Sequence, residues 1–186
     1  MKYFYQVAEG VDVAPILHCI AVRPELWNQE TVRTAHAGSA HKAVDDILLR
    51  FNDLEAYKSS GDAASIMDGL ETINFPPMFR LPQVRPVIFD LMRKVEGERL
   101  GRVIITRLLR GSQITKHIDQ GAYAAYYSRY HLMLQNSPGS VFMCGDETCY
   151  MAPGTVWWFD TSVEHGVVNN STIERITLIV DIRVFR

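Results

Sequence analysis

Apolar positions along the chain change period near residue 100. Before it, Val84, Val87, Ile88, Leu91 and Val95 recur at the spacing of one helical face, with Pro82 and Pro86 near the start and Gly97 past the end. That pattern predicts an amphipathic helix packed on a sheet. The run Ala40 to Phe51, with Val44, Ile47, Leu48, Leu49 and Phe51, reads as a strand or short helix. Tyr57 to Gly69, rich in Ser, Gly, Asp and Ala, reads mostly as loop. After residue 100, runs rich in Ile, Val, Thr, Tyr and Trp predict strands over Arg102 to Leu109, Tyr126 to Leu134, Ser140 to Met143, Thr148 to Met151, Thr155 to Phe159 and Arg175 to Phe185. Gly111-Ser112, Ser137-Pro138-Gly139, Gly145-Asp146-Glu147 and Ala152-Pro153-Gly154 punctuate them. Short strands at this spacing fit a sandwich or barrel, with the helical first half over one face. In the last strand Arg175, Thr177, Asp181 and Arg183 share one parity and Ile176, Leu178, Val180 and Ile182 the other, so one face is wet or functional.

Length and composition narrow the class. At about 150 residues per domain, 186 residues make one domain with a modest extension, and 47% hydrophobic content is that of a chain that buries a core. Nineteen basic against 21 acidic residues leave a net charge of -2, with no global positive field for phosphate backbones, so nucleic acid is not an expected partner. Three cysteines, Cys19, Cys144 and Cys149, are too few and odd in number for a disulfide framework, which favours a reducing compartment. The N-terminus lacks the apolar run of a signal peptide, and no stretch approaches the ~18 apolar residues of a membrane span. A soluble cytoplasmic protein is expected, in which the glycosylation pattern Asn169-Asn170-Ser171-Thr172 is idle.

The candidate chemistry lies in the β-rich half. If Lys116-His117-Ile118-Asp119 is extended, His117 and Asp119 leave the same face and reach a common ion. His165 follows downstream. Two neutral imidazoles and a carboxylate on one face of an octahedral ion leave three positions open, which suits non-haem iron(II). His-x-Asp is common by chance, however, and alone it does not define a metal pair. Arg175, ten residues beyond His165 at the start of an apolar strand, adds weight, because a cation there faces either solvent or a buried anion, and a bidentate fork suits a carboxylate.

Other residues read more simply. Cys144 and Cys149 could face each other across a hairpin, yet Cys-x₄-Cys lacks the helix-start setting that activates thiols. Trp157 and Trp158 occupy opposite faces of a strand, so at least one is wall or core. His36 and His41 read as a solvated loop rather than a second metal site, and His18 as a satisfied core residue. Arg50 fits equally a place at the barrel mouth, meeting an anionic substrate, or on the surface.

The ordered blocks from Gly111 through His117-x-Asp119, Arg129-Tyr130-His131-Leu132, Cys144-Gly145-Asp146-Glu147, Pro153 to Asp160, Glu164-His165 and Arg175 to Asp181 resemble the aspartyl/asparaginyl β-hydroxylase family of iron(II)- and 2-oxoglutarate-dependent oxygenases. The resemblance covers about residues 100 to 186. It implies a mainly β fold with flanking helices, a double-stranded β-helix of the jelly-roll, cupin-like kind. It further implies that His117, Asp119 and His165 are the iron ligands and that Arg175 pairs with the distal carboxylate of 2-oxoglutarate. Arg129 and His131 match positions lining that co-substrate pocket, and Thr106 matches a small hydroxyl residue near the same carboxylate. The expected reaction uses Fe(II), 2-oxoglutarate and O₂ to hydroxylate an amino acid, free or in a peptide, and releases succinate and CO₂.

Asp119 stands where vertebrate members of the family carry glycine, whereas bacterial relatives that include free-proline hydroxylases keep the carboxylate. Residues 1–186 are expected to form one oxygenase domain, with 101–186 the jelly-roll core. Residues 1–100 then buttress it and touch the substrate. Two other readings compete: a jelly-roll binding module without redox iron, and an oxygenase acting on a nucleobase or other small molecule. An intact triad with Arg175 argues against the first, and the charge of -2 against a nucleobase.

Overall fold

The computed structural model describes residues 1–35, 39–62 and 64–185. The first half contributes strand β1 (Phe4–Ala8), helix α1 (Ala14–Ala21), a 3-10 turn (Pro24–Leu26), helix α2 (Val32–Ala35) and strand β2 (Val44–Phe51). Helices α3 (Glu55–Ser60) and α4 (Ala64–Met67), strand β3 (Ile73–Asn74) and helices α5 (Pro76–Arg80) and α6 (Val84–Lys94) follow. The second half contributes β4 (Gly97–Leu108), β5 (Gln113–His117), helix α7 (Gly121–Tyr126), β6 (Ser128–Gln135) and β7 (Ser140–Cys144). It ends with β8 (Glu147–Cys149), β9 (Val156–Phe159), β10 (His165–Asn169) and β11 (Arg175–Val184). Antiparallel ladders join β1, β9, β6, β11, β4, β2 and β3, in that order, into one sheet, and β5, β10, β7 and β8 into a second. The sheets face each other as a jelly-roll, mainly β with flanking helices, as expected.

The alternation in β11 sets the layers. Ile176, Leu178, Val180 and Ile182 point away from the small sheet into a cluster with Ile16, Met78, Val84, Ile88 and Leu91 of α1, α5 and α6. Each fully buried side chain of this size contributes about 1.5–3 kcal/mol. The opposite parity, Arg175, Thr177, Ile179 and Asp181, points between the sheets and is just as buried. Of the two expectations for the polar face, wet or functional, the wet one is corrected at these positions: they line the barrel interior. Beside them Leu108, Met133, Phe142, Phe159 and Val167 form an apolar cluster between the sheets.

Helix α6 follows its predicted face, with Val84, Ile88 and Leu91 buried. Gly97 lies past its end, as expected. Glu96 takes the left-handed conformation (φ 53°), while Gly97 opens β4, where a Cβ would lie 2.5 Å from Ile182 Cγ2. The segment read as loop instead forms α3 and α4. Asp53 Oδ1 accepts the Glu55 N–H at 3.1 Å, Gly61 (φ 70°) ends α3, and Leu54 and Ile66 anchor the pair in an apolar cluster with Phe51 and Ile104. The strand expected from Tyr126 begins at Ser128, because α7 occupies Gly121–Tyr126. His18 is exposed on α1, not in the core. Among the described residues no helix is long and apolar enough to cross a membrane.

Candidate metal centre

His117 ends β5 and His165 opens β10, and the ladder between these strands pairs them directly. Asp119 lies just beyond β5, where its N–H donates to the Thr161 carbonyl at 3.1 Å. One donor atom from each of His117, Asp119 and His165 lies within 4.8 Å of the others. The Nδ1 atoms of His117 and His165 lie 2.8 and 2.9 Å from the carbonyls of Thr115 and Val163. A carbonyl only accepts, so each Nδ1 carries the proton and each Nε2 keeps a lone pair free for an ion. Burial lowers the His165 pKa, which favours the neutral form a metal needs. Burial works to raise the Asp119 pKa, but the charge of Arg129 and those of His165, His117 and Arg33 together outweigh it, and the carboxyl stays below its ordinary value.

Arg129 bridges two carboxylates. Nη1 donates to Asp119 Oδ2 at 2.6 Å, while Nε and Nη2 donate to the two Asp181 oxygens at 2.8 and 3.0 Å. It thus holds the third donor in place and also reaches the wall of a narrow cleft, about 30 Å³, between the sheets. Thr106, His131 and Arg175 line the same cleft. Arg175 is buried, and among the described residues it has no carboxylate partner. Nη2 lies 4.0 Å from Met151 Sδ, the guanidinium 5.7 Å from the Phe142 ring centroid. Burial pulls its pKa down to about 10. His131 Nδ1 is buried without a partner among the described residues, and burial followed by the Arg175 charge keeps this ring neutral. An orphaned imidazole nitrogen beside an unpaired guanidinium is a polar set that a bound anion would satisfy.

A second cavity, about 310 Å³, opens on the other side of the triad. Arg33, His41, Phe51 and Met67 from the first half line it together with Arg102, Asp119 and Tyr123. The reading of His41 as part of a solvated loop is corrected: its ring packs edge-on to His117 at 4.9 Å and lines both cavities, while His36 lies outside the described residues. Arg33 is buried against Asp46 in a two-pronged pair at 2.7 and 2.8 Å. Arg50, left between mouth and surface, sits at the β2–β3 edge, donating to Asn74 Oδ1 and the Thr72 carbonyl. Cys144 and Cys149 are free, buried and offset by two positions across the β7–β8 ladder, and burial raises both thiols, Cys144 to about 11. They carry no activated thiolate. Asn169 is fully buried and donates to the Leu108 and Ile173 carbonyls, so that sequon position serves a turn. Asp46, inside an apolar strand, was the one signal in the chain that a buried cation such as Arg33 lay near.

The fold and this donor set define a class: jelly-roll proteins with two histidines and a carboxylate converging between the sheets. Within it, the chain belongs to the aspartyl/asparaginyl β-hydroxylase family, whose sequence model matches residues 76–184, more than half of the chain. L-proline cis-3-hydroxylase 1 of Streptomyces sp is 28% identical over 137 residues, covering 71% of this chain and 47% of that protein. The chain therefore spans about half the length of that relative. In solved structures, an oxidoreductase of the 2OG-Fe(II) oxygenase family from Burkholderia pseudomallei superposes with a TM-score of 0.56 at 16% identity, over 82% of this chain and 74% of that one. A prolyl-4-hydroxylase from Pseudomonas putida gives 0.52 at 15% identity, over 98% and 93%. At these identities the likeness is one of fold.

Proposed function

We propose that the chain is an iron(II)- and 2-oxoglutarate-dependent hydroxylase acting on an amino acid, with residues 1–186 working as one oxygenase unit. The observation that carries this is the donor set, two imidazoles with Nδ1 tied to backbone and a carboxylate tied to Arg129, all within 4.8 Å. His117, Asp119 and His165 would hold iron(II) through Nε2, a carboxylate oxygen and Nε2. Bound together, iron(II) and 2-oxoglutarate supply oxidation of a C–H bond to C–OH by O₂, with succinate and CO₂ released. Arg175 takes the distal carboxylate of 2-oxoglutarate, replacing a missing counter-ion, and His131 and Thr106 offer polar atoms beside it. Arg129 is assigned to the rim of this pocket and chiefly to orienting Asp119. At about 30 Å³ the cleft admits a five-carbon dicarboxylate only as side chains at its walls move. Family membership and the proline hydroxylase relative support an amino acid as substrate. Three free cysteines support a reducing compartment such as the cytoplasm. Anaerobic titration of the protein with iron(II) and 2-oxoglutarate tests this reading. A weak visible charge-transfer band supports it, and no band together with no succinate release in air would sink it.

A further inference from the structure

The cavity on the far side of the triad from Arg175 contains a second buried cation without a carboxylate. Arg102 lies on β4 with the parity of Ile104 and Thr106, facing between the sheets, and is 5% exposed. Its Nε and Nη2 both donate to Asn52 Oδ1, at 2.8 and 2.5 Å, and Nη2 also donates to the Met67 carbonyl at 2.7 Å. The guanidinium is stacked 3.7 Å from the Tyr123 ring centroid and 4.5 Å from that of Phe51. These neutral groups fix the fork in place through Nε and Nη2, none of the bonds uses Nη1, and Arg102 lines the cavity.

The neighbouring arginines differ. Arg33 has a carboxylate partner in Asp46, and Arg129 has two, Asp119 and Asp181. Asp181 Oδ2 already accepts from Arg129 and from the Tyr123 hydroxyl, which itself accepts the backbone N–H of Arg102 at 2.6 Å. A guanidinium buried without a counter-ion is costly unless a ligand supplies one, and the planar fork suits a carboxylate. Around it, Phe51, Ile104, Ile118 and Ile179 supply apolar stretches of a mixed wall, and the exposed Asp68 offers an acceptor for an ammonium group. The volume, about 310 Å³, is at the small-molecule end of ligand sites.

We propose that this cavity is the substrate site, that Arg102 binds the α-carboxylate of a free amino acid, and that the apolar stretches take its side chain beside the triad. An internal peptide residue has no α-carboxylate to offer. The inference rests on the hydroxylase reading and names its substrate class.

The test uses the protein loaded anaerobically with iron(II) and 2-oxoglutarate, titrated calorimetrically with the twenty L-amino acids, their α-carboxamides, and N-acetylated, C-amidated tripeptides with the same residues central. At least one free acid binds, and its amide binds about 100-fold more weakly, as loss of one partner of a buried charged pair requires. Arg102→Met weakens the acid about 100-fold, erases the preference of acid over amide, and leaves the iron/2-oxoglutarate band unchanged. Amides equal to acids, no free acid binding while the band forms, or an Arg102→Met protein that keeps the preference would each overturn the proposal. Capped tripeptides binding more tightly than free acids would also overturn it, and an aspartyl peptide alone doing so would assign Arg102 to a side-chain carboxylate. Should Arg102→Met not fold, the acid–amide comparison on the unaltered protein decides alone. Absence of the band is failure of the hydroxylase reading instead.

Discussion

Two buried guanidiniums flank the triad, and they arrive there by different routes. Arg175 and Arg102 both project from the large sheet into the space between the sheets, toward separate cavities that meet at His117. Arg175 is nearly bare, with a thioether and a phenyl ring as its recorded contacts. Arg102 is braced by Asn52, the Met67 carbonyl and two aromatic rings. The difference teaches which half of the chain shapes which chamber. The Arg175 cleft is walled mostly by strands of the second half, whereas the bracing of Arg102 comes largely from residues 51 to 67.

The comparison can be broken most severely at the metal. His165→Ala should lower iron(II) affinity by more than the roughly 100-fold that loss of an outer partner costs, and emptied chambers on both sides should follow. Equilibrium binding of iron(II) under anaerobic conditions measures it. Next, Arg175→Ala should raise the 2-oxoglutarate concentration needed for half-saturation about 100-fold while binding of iron(II) alone is unchanged. Equal loss of both would contradict separate roles for triad and arginine. Arg129→Met removes the cation that holds the Asp119 carboxyl down and should cost about 10- to 100-fold in iron affinity. With that cation gone, burial raises the Asp119 pKa and the loss should deepen as pH falls.

The smallest effect concerns the buried imidazole of the Arg175 cleft. In the folded protein the His131 pKa lies well below its ordinary value, because burial and then Arg175 disfavour the cation. Below about pH 6.5 the unfolded chain therefore takes up a proton that the folded one refuses. The His131 share of stability is full above that pH and falls as pH drops below it, by at most about 1.4 kcal/mol per pH unit. His41 and His165, whose pKa values burial also lowers, add slopes of the same sign. Urea unfolding of the metal-free protein from pH 7.5 to 5 should show this slope, and His131→Gln should reduce it.

Much of the Arg175 side was legible in the chain itself. His117 and Asp119 are close in sequence, His165 opens a short Val-rich run, and β11, which Arg175 begins, displays its two parities openly. The Arg102 side was not legible, because it assembles through distance. Asn52 lies 50 residues from Arg102, and Tyr123 is 58 residues from Asp181. The short helices that Leu54, just before α3, and Ile66, within α4, anchor have a loop-like composition, so only tertiary burial makes them helices. His41 looked solvated for the same reason: nothing local brings it to His117, and the β2–β4 and β5–β10 ladders do. The first half was expected to buttress the barrel, yet β1, β2 and β3 are strands of the large sheet.

The claim on which both chambers depend is that the triad and the Arg175 cleft bind iron(II) and 2-oxoglutarate together. Anaerobic addition of 2-oxoglutarate to the iron(II)-loaded protein should produce a weak visible charge-transfer band that saturates at one equivalent per chain. Iron(II) bound by the triad with no band on adding 2-oxoglutarate, and no succinate formed on admitting air, would contradict it.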